Sequence, residues 1–342
     1  MLLIFVAFAH IVCVIVLSFM VMNYSSEKSY ILNTSPLNYS HQNITITGFN
    51  LTGLNYENEC GDIFKYPKAT ERDVILFSYG HSRKWKRNKK SMRFAFSLVR
   101  KVLPKVTLVM LTVGKVPPDF IQLMNEFNVT IVPSPKQFLK GWNCVNARIP
   151  LSLEYLKQHK NDIDRVAWSD TRDVFYFNDI FATVGMNDLV WMSECVSPTD
   201  CFRHSTTGQK LHFYWMWWFY GRDEALKLTQ YNTPTLNGGF GIGGVSRMIQ
   251  LLTKLTQEMD PKFTFQWGYD QTLLNYLYYK GELIDIGLGV DRCTQRMCFA
   301  NKLNIIGYGK HTTFSMKGSS CAPVLLHKGL PSRLMEMTIT YR

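Results

Sequence analysis

Residues 169–174 read Ser-Asp-Thr-Arg-Asp-Val and follow a short apolar run, 165–168, that suits a buried strand. Two carboxylates, Asp170 and Asp173, at the end of such a strand make a poor packing motif, because unpaired charge there is costly. A divalent cation would neutralise them. Mn²⁺ or Mg²⁺ takes oxygen ligands and commonly links one or two carboxylates to substrate phosphates. The plainer alternative is an Arg172–Asp173 pair on a solvated loop. Downstream, residues 236–244 read LNGGFGIGG. Glycines permit close backbone approach, but this run lacks the Walker lysine and the strand–helix context of a dinucleotide fingerprint. Alone, it reads as a glycine-rich turn leading into a helix over 248–255. The run Trp267-Gly268-Tyr269-Asp270-Gln271 opens an apolar helix, where Asp270 is also a favourable N-terminal charge. Residues 324–329, VLLHKG, form a strand that ends in His327.

Taken in order, these four elements resemble the GT-A class of nucleotide-sugar glycosyltransferases. The segment 168–181, WSDTRDVFYFNDIF, is especially similar to poorly characterised members that read SDxRDVxF at this point. The resemblance covers residues 73–328; it is specific as an ordered set, although each motif alone is weak. It implies a metal site at Asp170, Asp173 and His327. It implies a donor-sugar turn at Asn237, Gly238 and Gly239, and a reacting centre beside Asp270 and Gln271. Asn146 and Arg148 match a polar pair that precedes the metal strand in similar proteins, where it contacts the donor. The spacing is D-T-R-D rather than D-x-D. Either Asp173 still reaches the metal, or Arg172 contacts the phosphates and Asp170 ligates alone. The implied cofactor is Mn²⁺ or Mg²⁺, and the implied donor is a nucleoside-diphosphate sugar, UDP by resemblance. The implied acceptor is a glycan or glycoprotein. Asp270 would deprotonate the acceptor hydroxyl in an inverting enzyme or position the sugar in a retaining one.

The elements that must position these residues alternate. Residues 73–79, 106–112, 129–132 and 165–168 read as strands, and 91–103, 117–127 and 146–159 as helices, with Pro117 and Pro118 suited to a first turn. Strands alternating with helices predict an α/β fold with a mainly parallel sheet, here GT-A-like, that holds ligands at the carboxyl ends of its strands. Residues 83–90 are expected as a basic loop that is solvated or meets donor phosphates or an acidic glycan. Residues 212–220, HFYWMWWFY, are expected to pack in the core, with a platform for an acceptor sugar as the sharper reading.

The chain has 342 residues and a formal charge of +12. Residues 1–22 are apolar throughout, long enough to cross a bilayer and longer than the ~7–15 apolar residues of a cleaved signal. Asn-x-Ser/Thr sequons follow at Asn23, Asn33, Asn38, Asn43 and Asn50. Such crowding marks a glycosylated, extended lumenal segment. The expected plan is a signal anchor over 1–22, a stem over 23–70 and a catalytic domain over 71–342. The protein would then be single-pass type II in the Golgi or ER membrane, and nucleic acid would be excluded as a partner of the basic surface. Outside the span lie Cys60, Cys144, Cys195, Cys201, Cys293, Cys298 and Cys321. Cys195 with Cys201, and Cys293 with Cys298, read as small disulfide loops. The count is odd, and Cys60 is the expected odd member, free or bridging a dimer. Two rivals remain: a non-catalytic lumenal glycan-binding protein on the same scaffold, and a metal-dependent phosphohydrolase. The second lacks the multiple histidines and extra aspartates of a two-metal site.

Overall fold

The computed structural model describes residues 51–80, 85–139, 141–194, 209–230, 235–299, 303–306 and 313–328. The expected anchor over 1–22 and the sequons from Asn23 to Asn50 lie outside the described residues, as do Cys195 and Cys201. No helix among the described residues is long and apolar enough to cross a membrane.

The fold is mixed α/β around a central, mostly parallel sheet. Its first half follows the sequence pattern. Strands β1 (Asp73–Gly80), β2 (Thr107–Val113), β3 (Val129–Pro133) and β4 (Arg165–Ser169) alternate with helices α1 (Trp85–Val102), α2 (Pro118–Glu126) and α3 (Cys144–His159). The strands are near-continuous runs of buried residues, as a sheet covered on both faces requires. Val74 and Leu76 of β1 face Ala147 and Leu151 of α3, while Ile75 and Phe77 face Phe96 and Val99 of α1 and Phe120 of α2. Each fully buried aliphatic or aromatic side chain of this kind contributes about 1.5–3 kcal/mol. At the amino end of the sheet, Arg165 pairs with Asp73 through Nε and Nη2, both at 2.7 Å, which satisfies two buried charges away from the site.

The second half adds β5 (Val174–Tyr176), β6 (Leu189–Ser193), α4 (Gln209–Tyr220), α5 (Arg222–Gln230), β7 (Leu236–Gly244), α6 (Val245–Glu258), α7 (Tyr269–Tyr279), β8 (Gly289–Asp291), β9 (Met297–Phe299), β10 (Leu303–Ile306), β11 (Thr313–Met316) and β12 (Leu325–His327). The seven-stranded sheet has the order β3-β2-β1-β4-β7-β6-β8. β7 alone in it runs against its neighbours, pairing antiparallel with both β4 and β6. Its amino end therefore lies beside the carboxyl ends of β4 and β6. A second, three-stranded sheet, β5-β12-β9, sets His327 opposite Val174.

Four expectations are corrected. The glycine-rich segment 236–244 is a buried strand, not a turn. Its glycines are demanded by close neighbours: a Cβ at Gly241 would collide with the Trp191 ring, and one at Gly244 with the Met186 carbonyl. The basic stretch is helical from Trp85, because that side chain is buried edge-on against Tyr79 and Phe120 and anchors the first turn; Arg83 and Lys84 lie outside the described residues. The expected stem packs onto the fold from residue 51. Tyr56 Oη donates to the Pro323 carbonyl at 2.7 Å, and Ala69 N–H to Asp179 Oδ2 at 2.8 Å. Cys60 bonds to Cys321 and so bridges no second chain; Cys144 is the free cysteine among the described residues. The Cys293–Cys298 loop forms as expected.

The Cys60–Cys321 bridge joins positions 261 residues apart and fixes the segment that leads into β12. Replacing both cysteines by serine is expected to cost about 2–5 kcal/mol. Chemical denaturation would show this as a lower midpoint, with a steeper slope because the freed unfolded chain exposes more surface. An unchanged midpoint would mean that the surrounding contacts alone hold β12.

Candidate active site

Asp170 is the first residue beyond β4, and its N–H donates to the Gly239 carbonyl at 2.7 Å across the β4–β7 pair. Asp173 immediately precedes β5, whose antiparallel partner β12 carries His327. The three-residue step from 170 to 173 thus crosses from the large sheet to the small one. Both aspartates reach the same imidazole despite the D-T-R-D spacing. His327 Nε2 lies 3.5 Å from Asp170 Oδ2 and 3.7 Å from Asp173 Oδ1. One ligand atom from each of the three residues falls within 4.8 Å of the others. Arg172 points outward, paired with Asp173 Oδ2 at 3.1 Å and with Asn88 Oδ1 at 3.4 Å.

The residues fit a divalent cation. His327 is 0 % exposed, and neither Nδ1 nor Nε2 has a hydrogen-bond partner. A buried imidazole left so is costly unless something not in the protein satisfies it. Two carboxylates with one imidazole are a donor set that suits a divalent cation. The Asp170 side chain keeps 34 % of its surface open, which leaves the site reachable from one side. A second acidic and thiol cluster, Glu59 with Cys60 and Cys321, is no rival, since both sulfurs are in the disulfide.

Electrostatics shift the carboxylates of Asp170 and Asp270 in opposite directions. Burial alone would raise the Asp170 pKa, but the neighbouring His327 and the Arg148 guanidinium hold it well below the usual range. Burial dominates at Asp270, pushing its pKa up despite the same guanidinium. Arg148 projects from the second turn of α3 beneath both. Nη1 donates to Asp170 Oδ1 at 2.8 Å, Nη2 to Asp270 Oδ2 at 2.7 Å and to the Gly238 carbonyl, while Cζ sits 4.8 Å above the Trp168 ring. Arg148 is therefore a buried strut tying the metal strand, β7 and α7 together.

Asn146 is fully buried, and its amide is committed to backbone. Nδ2 donates to the Thr264 and Gln266 carbonyls at 2.8 and 2.7 Å, and Oδ1 accepts from Asp270 N–H at 3.0 Å. It positions the loop before α7 instead of contacting a donor, which corrects the expectation from its pairing with Arg148. Gln271 is likewise a clamp: Oε1 accepts from Gly238 N–H at 2.9 Å, and Nε2 donates to Glu194 Oε1 at 3.2 Å.

No protein-family profile matches the chain. No curated protein is similar to it either. Among solved structures it is similar to the crystal structure of galactosyltransferase LgtC in complex with donor and acceptor sugar analogs, with a TM-score of 0.44 and 16 % identity over 76 % of this chain and 88 % of that one. A likeness at that level carries no functional weight, which rests on the geometry above.

Three residues at the site escape a motif reading. Glu194 directly follows β6 and meets the Asn237 amide; its Oε2 lies 2.5 Å from His212 Nε2. Lys328, at φ +57°, turns the chain immediately after His327, donates its N–H to the Asp173 carbonyl at 2.7 Å and holds its ammonium 5.7 Å from the Phe299 ring. The apolar run 189–193 ending in an acid was the available signal for Glu194; nothing local marks His212. Helix α4 divides its large apolar side chains. Met216 and Phe219 are buried, while Tyr214, Trp217 and Trp218 are 54, 46 and 67 % exposed.

Gly239 has no room for a side chain: a Cβ would collide with the His327 ring and lie 2.7 Å from Asp170 Oδ2. Gly239→Ala is expected to lower Mn²⁺ affinity by about 10–100-fold by displacing the ligands. Titration calorimetry would read this directly, with circular dichroism confirming an intact fold. Unchanged affinity would separate β7 from the metal site.

Proposed function

We propose that this protein is a divalent-metal-dependent glycosyltransferase of the GT-A class. In this reading it moves a sugar from a nucleoside-diphosphate donor, UDP-linked, to a glycan or glycoprotein acceptor. The observation that carries the reading is the His327 imidazole, wholly buried, without a hydrogen-bond partner, and poised between two carboxylates at the rim of an α/β sheet. Asp170, Asp173 and His327 would hold Mn²⁺ or Mg²⁺. When bound, the metal supplies Lewis-acid stabilisation of charge on the departing diphosphate. Lys328 adds a positive charge beside the same carboxylates. The amino end of β7, from Asn237 to Gly239, would back the donor-sugar pocket, its own polar groups held by Glu194, Gln271, Arg148 and Asp170. Asp270 stays next to the reacting centre with its carboxylate oriented by Arg148. The exposed ring faces of Tyr214, Trp217 and Trp218 suit an acceptor sugar. The apolar run over 1–22, the crowded sequons and the disulfides together support a type II protein of the Golgi or ER membrane with its active face in the lumen.

The test is turnover of UDP-sugars by the full chain. Release of UDP should require Mn²⁺ or Mg²⁺, cease with chelator and return with added metal. Release of inorganic phosphate instead would favour the phosphohydrolase. Metal-independent turnover would remove the basis for the assignment, and binding of glycans without any turnover would favour the non-catalytic rival.

A further inference from the structure

Glu194 is the most heavily coordinated carboxylate near the metal ligands, and neither the metal site nor the Arg148 strut requires it. Four elements converge on it. It extends from the end of β6. Asn237 of β7 and Gln271 of α7 both donate to Oε1, and His212 of α4 lies 2.5 Å from Oε2. Burial opposes its charge, but the His212 imidazole outweighs that, and the pKa lies below the ordinary glutamate range. A carboxylate has about four acceptor positions. Three are filled by groups that fix its orientation, which leaves it able to accept one further hydrogen bond.

Its place relative to the metal ligands follows from contacts. The Asn237 side chain that donates to Glu194 also accepts from Gly239 N–H at 2.6 Å, and Gly239 abuts Asp170 and His327. Glu194 is therefore one amide side chain away from the strand that abuts Asp170 and His327. Arg148 is shared by Asp170 and Asp270, Arg172 faces Asp173, and His212 faces Glu194. Lys328 adds positive charge near Glu194.

We infer that Glu194 determines donor specificity: it accepts a hydroxyl of an uncharged sugar and rejects a donor whose sugar bears a carboxylate. The inference rests on the transferase reading above. A uronate would set a second anion against an oriented, buried carboxylate that Asn237, Gln271 and His212 already hold in place. Like charges a few ångströms apart in such a setting are strongly unfavourable.

The experiment compares UDP-glucose, UDP-galactose and UDP-N-acetylglucosamine with UDP-glucuronate, using the full chain with Mn²⁺. The best neutral donor is expected to exceed UDP-glucuronate in kcat/KM by ~100-fold or more. Glu194→Gln, which keeps the shape and removes the charge, should shrink that ratio at least about tenfold. Competition of each nucleotide-sugar against UDP on the unmodified protein gives the same ranking without any variant. UDP-glucuronate equal to or better than the neutral donors in that competition overturns the inference alone. A ratio unchanged in folded Glu194→Gln does the same. Absence of any Mn²⁺-dependent binding of UDP overturns the transferase reading, and the inference falls with it.

Discussion

Asp170→Asn is expected to reduce kcat/KM for the donor by ~10³-fold or more while leaving the protein folded. The asparagine keeps an oxygen for Arg148 Nη1, which now bonds Asp170 Oδ1 at 2.8 Å, and its backbone N–H still donates to Gly239. What it loses is the anionic oxygen that faces His327. The ligand set then drops from two carboxylates to one, and Mn²⁺ affinity falls with it. Steady-state turnover at saturating Mn²⁺, together with calorimetric titration of the metal, separates weaker binding from impaired chemistry. Near-normal turnover by a purified, folded Asp170→Asn protein would end the metal assignment.

Arg148→Met should act on stability first. The side chain is 5 % exposed and joins Asp170 and Asp270, so its removal leaves two carboxylates facing each other across a low-dielectric pocket. Breaking a buried ion pair from one side costs about 3–5 kcal/mol. The loss carries a pH signature. Burial already raises Asp270 above its unfolded value, and without the guanidinium the folded pKa rises further. The folded state then binds more protons than the unfolded state, so stability is fully present below the unfolded carboxylate pKa of about 4 and is lost as pH rises through the higher folded value. The variant should therefore melt higher at pH 5 than at pH 8. Added Mn²⁺ should restore part of the loss by neutralising Asp170. Arg148→Lys should fall between, because an ammonium keeps the charge but not the fork that reaches both carboxylates and the Gly238 carbonyl. A flat pH dependence in Arg148→Met would show that the two carboxylates separate and hydrate instead.

How much of this was legible in the chain depends on the range over which each feature is decided. The runs 73–79, 106–112 and 165–168 are mostly apolar because both faces of the strand are covered, and that is a local property. Helices α2 and α3 announce themselves by proline at a first turn and by apolar spacing. The acidic step after β4 was legible for a related reason: charge placed directly after a buried strand is hard to explain by packing. The segment 236–244 misled because glycine signals a turn when only backbone freedom is considered. Here the glycines answer to the Trp191 ring, the Met186 carbonyl and the His327–Asp170 pair, all distant in the chain. Asn146 misled because a polar residue beside Arg148 looks functional until its amide is seen bonded to the backbone of residues 264–270.

By itself the sequence determined the alternation of strands and helices, the acidic step after β4 and the late histidine, since each depends on neighbours within a few residues. Only the tertiary structure decided that β7 runs against the sheet, that Cys60 closes on Cys321, and that Arg148, Glu194 and His212 meet beside the metal ligands. Strand direction and such meetings are settled by packing between segments far apart along the chain, where the free energy depends on what lies opposite and leaves no periodic trace in either segment.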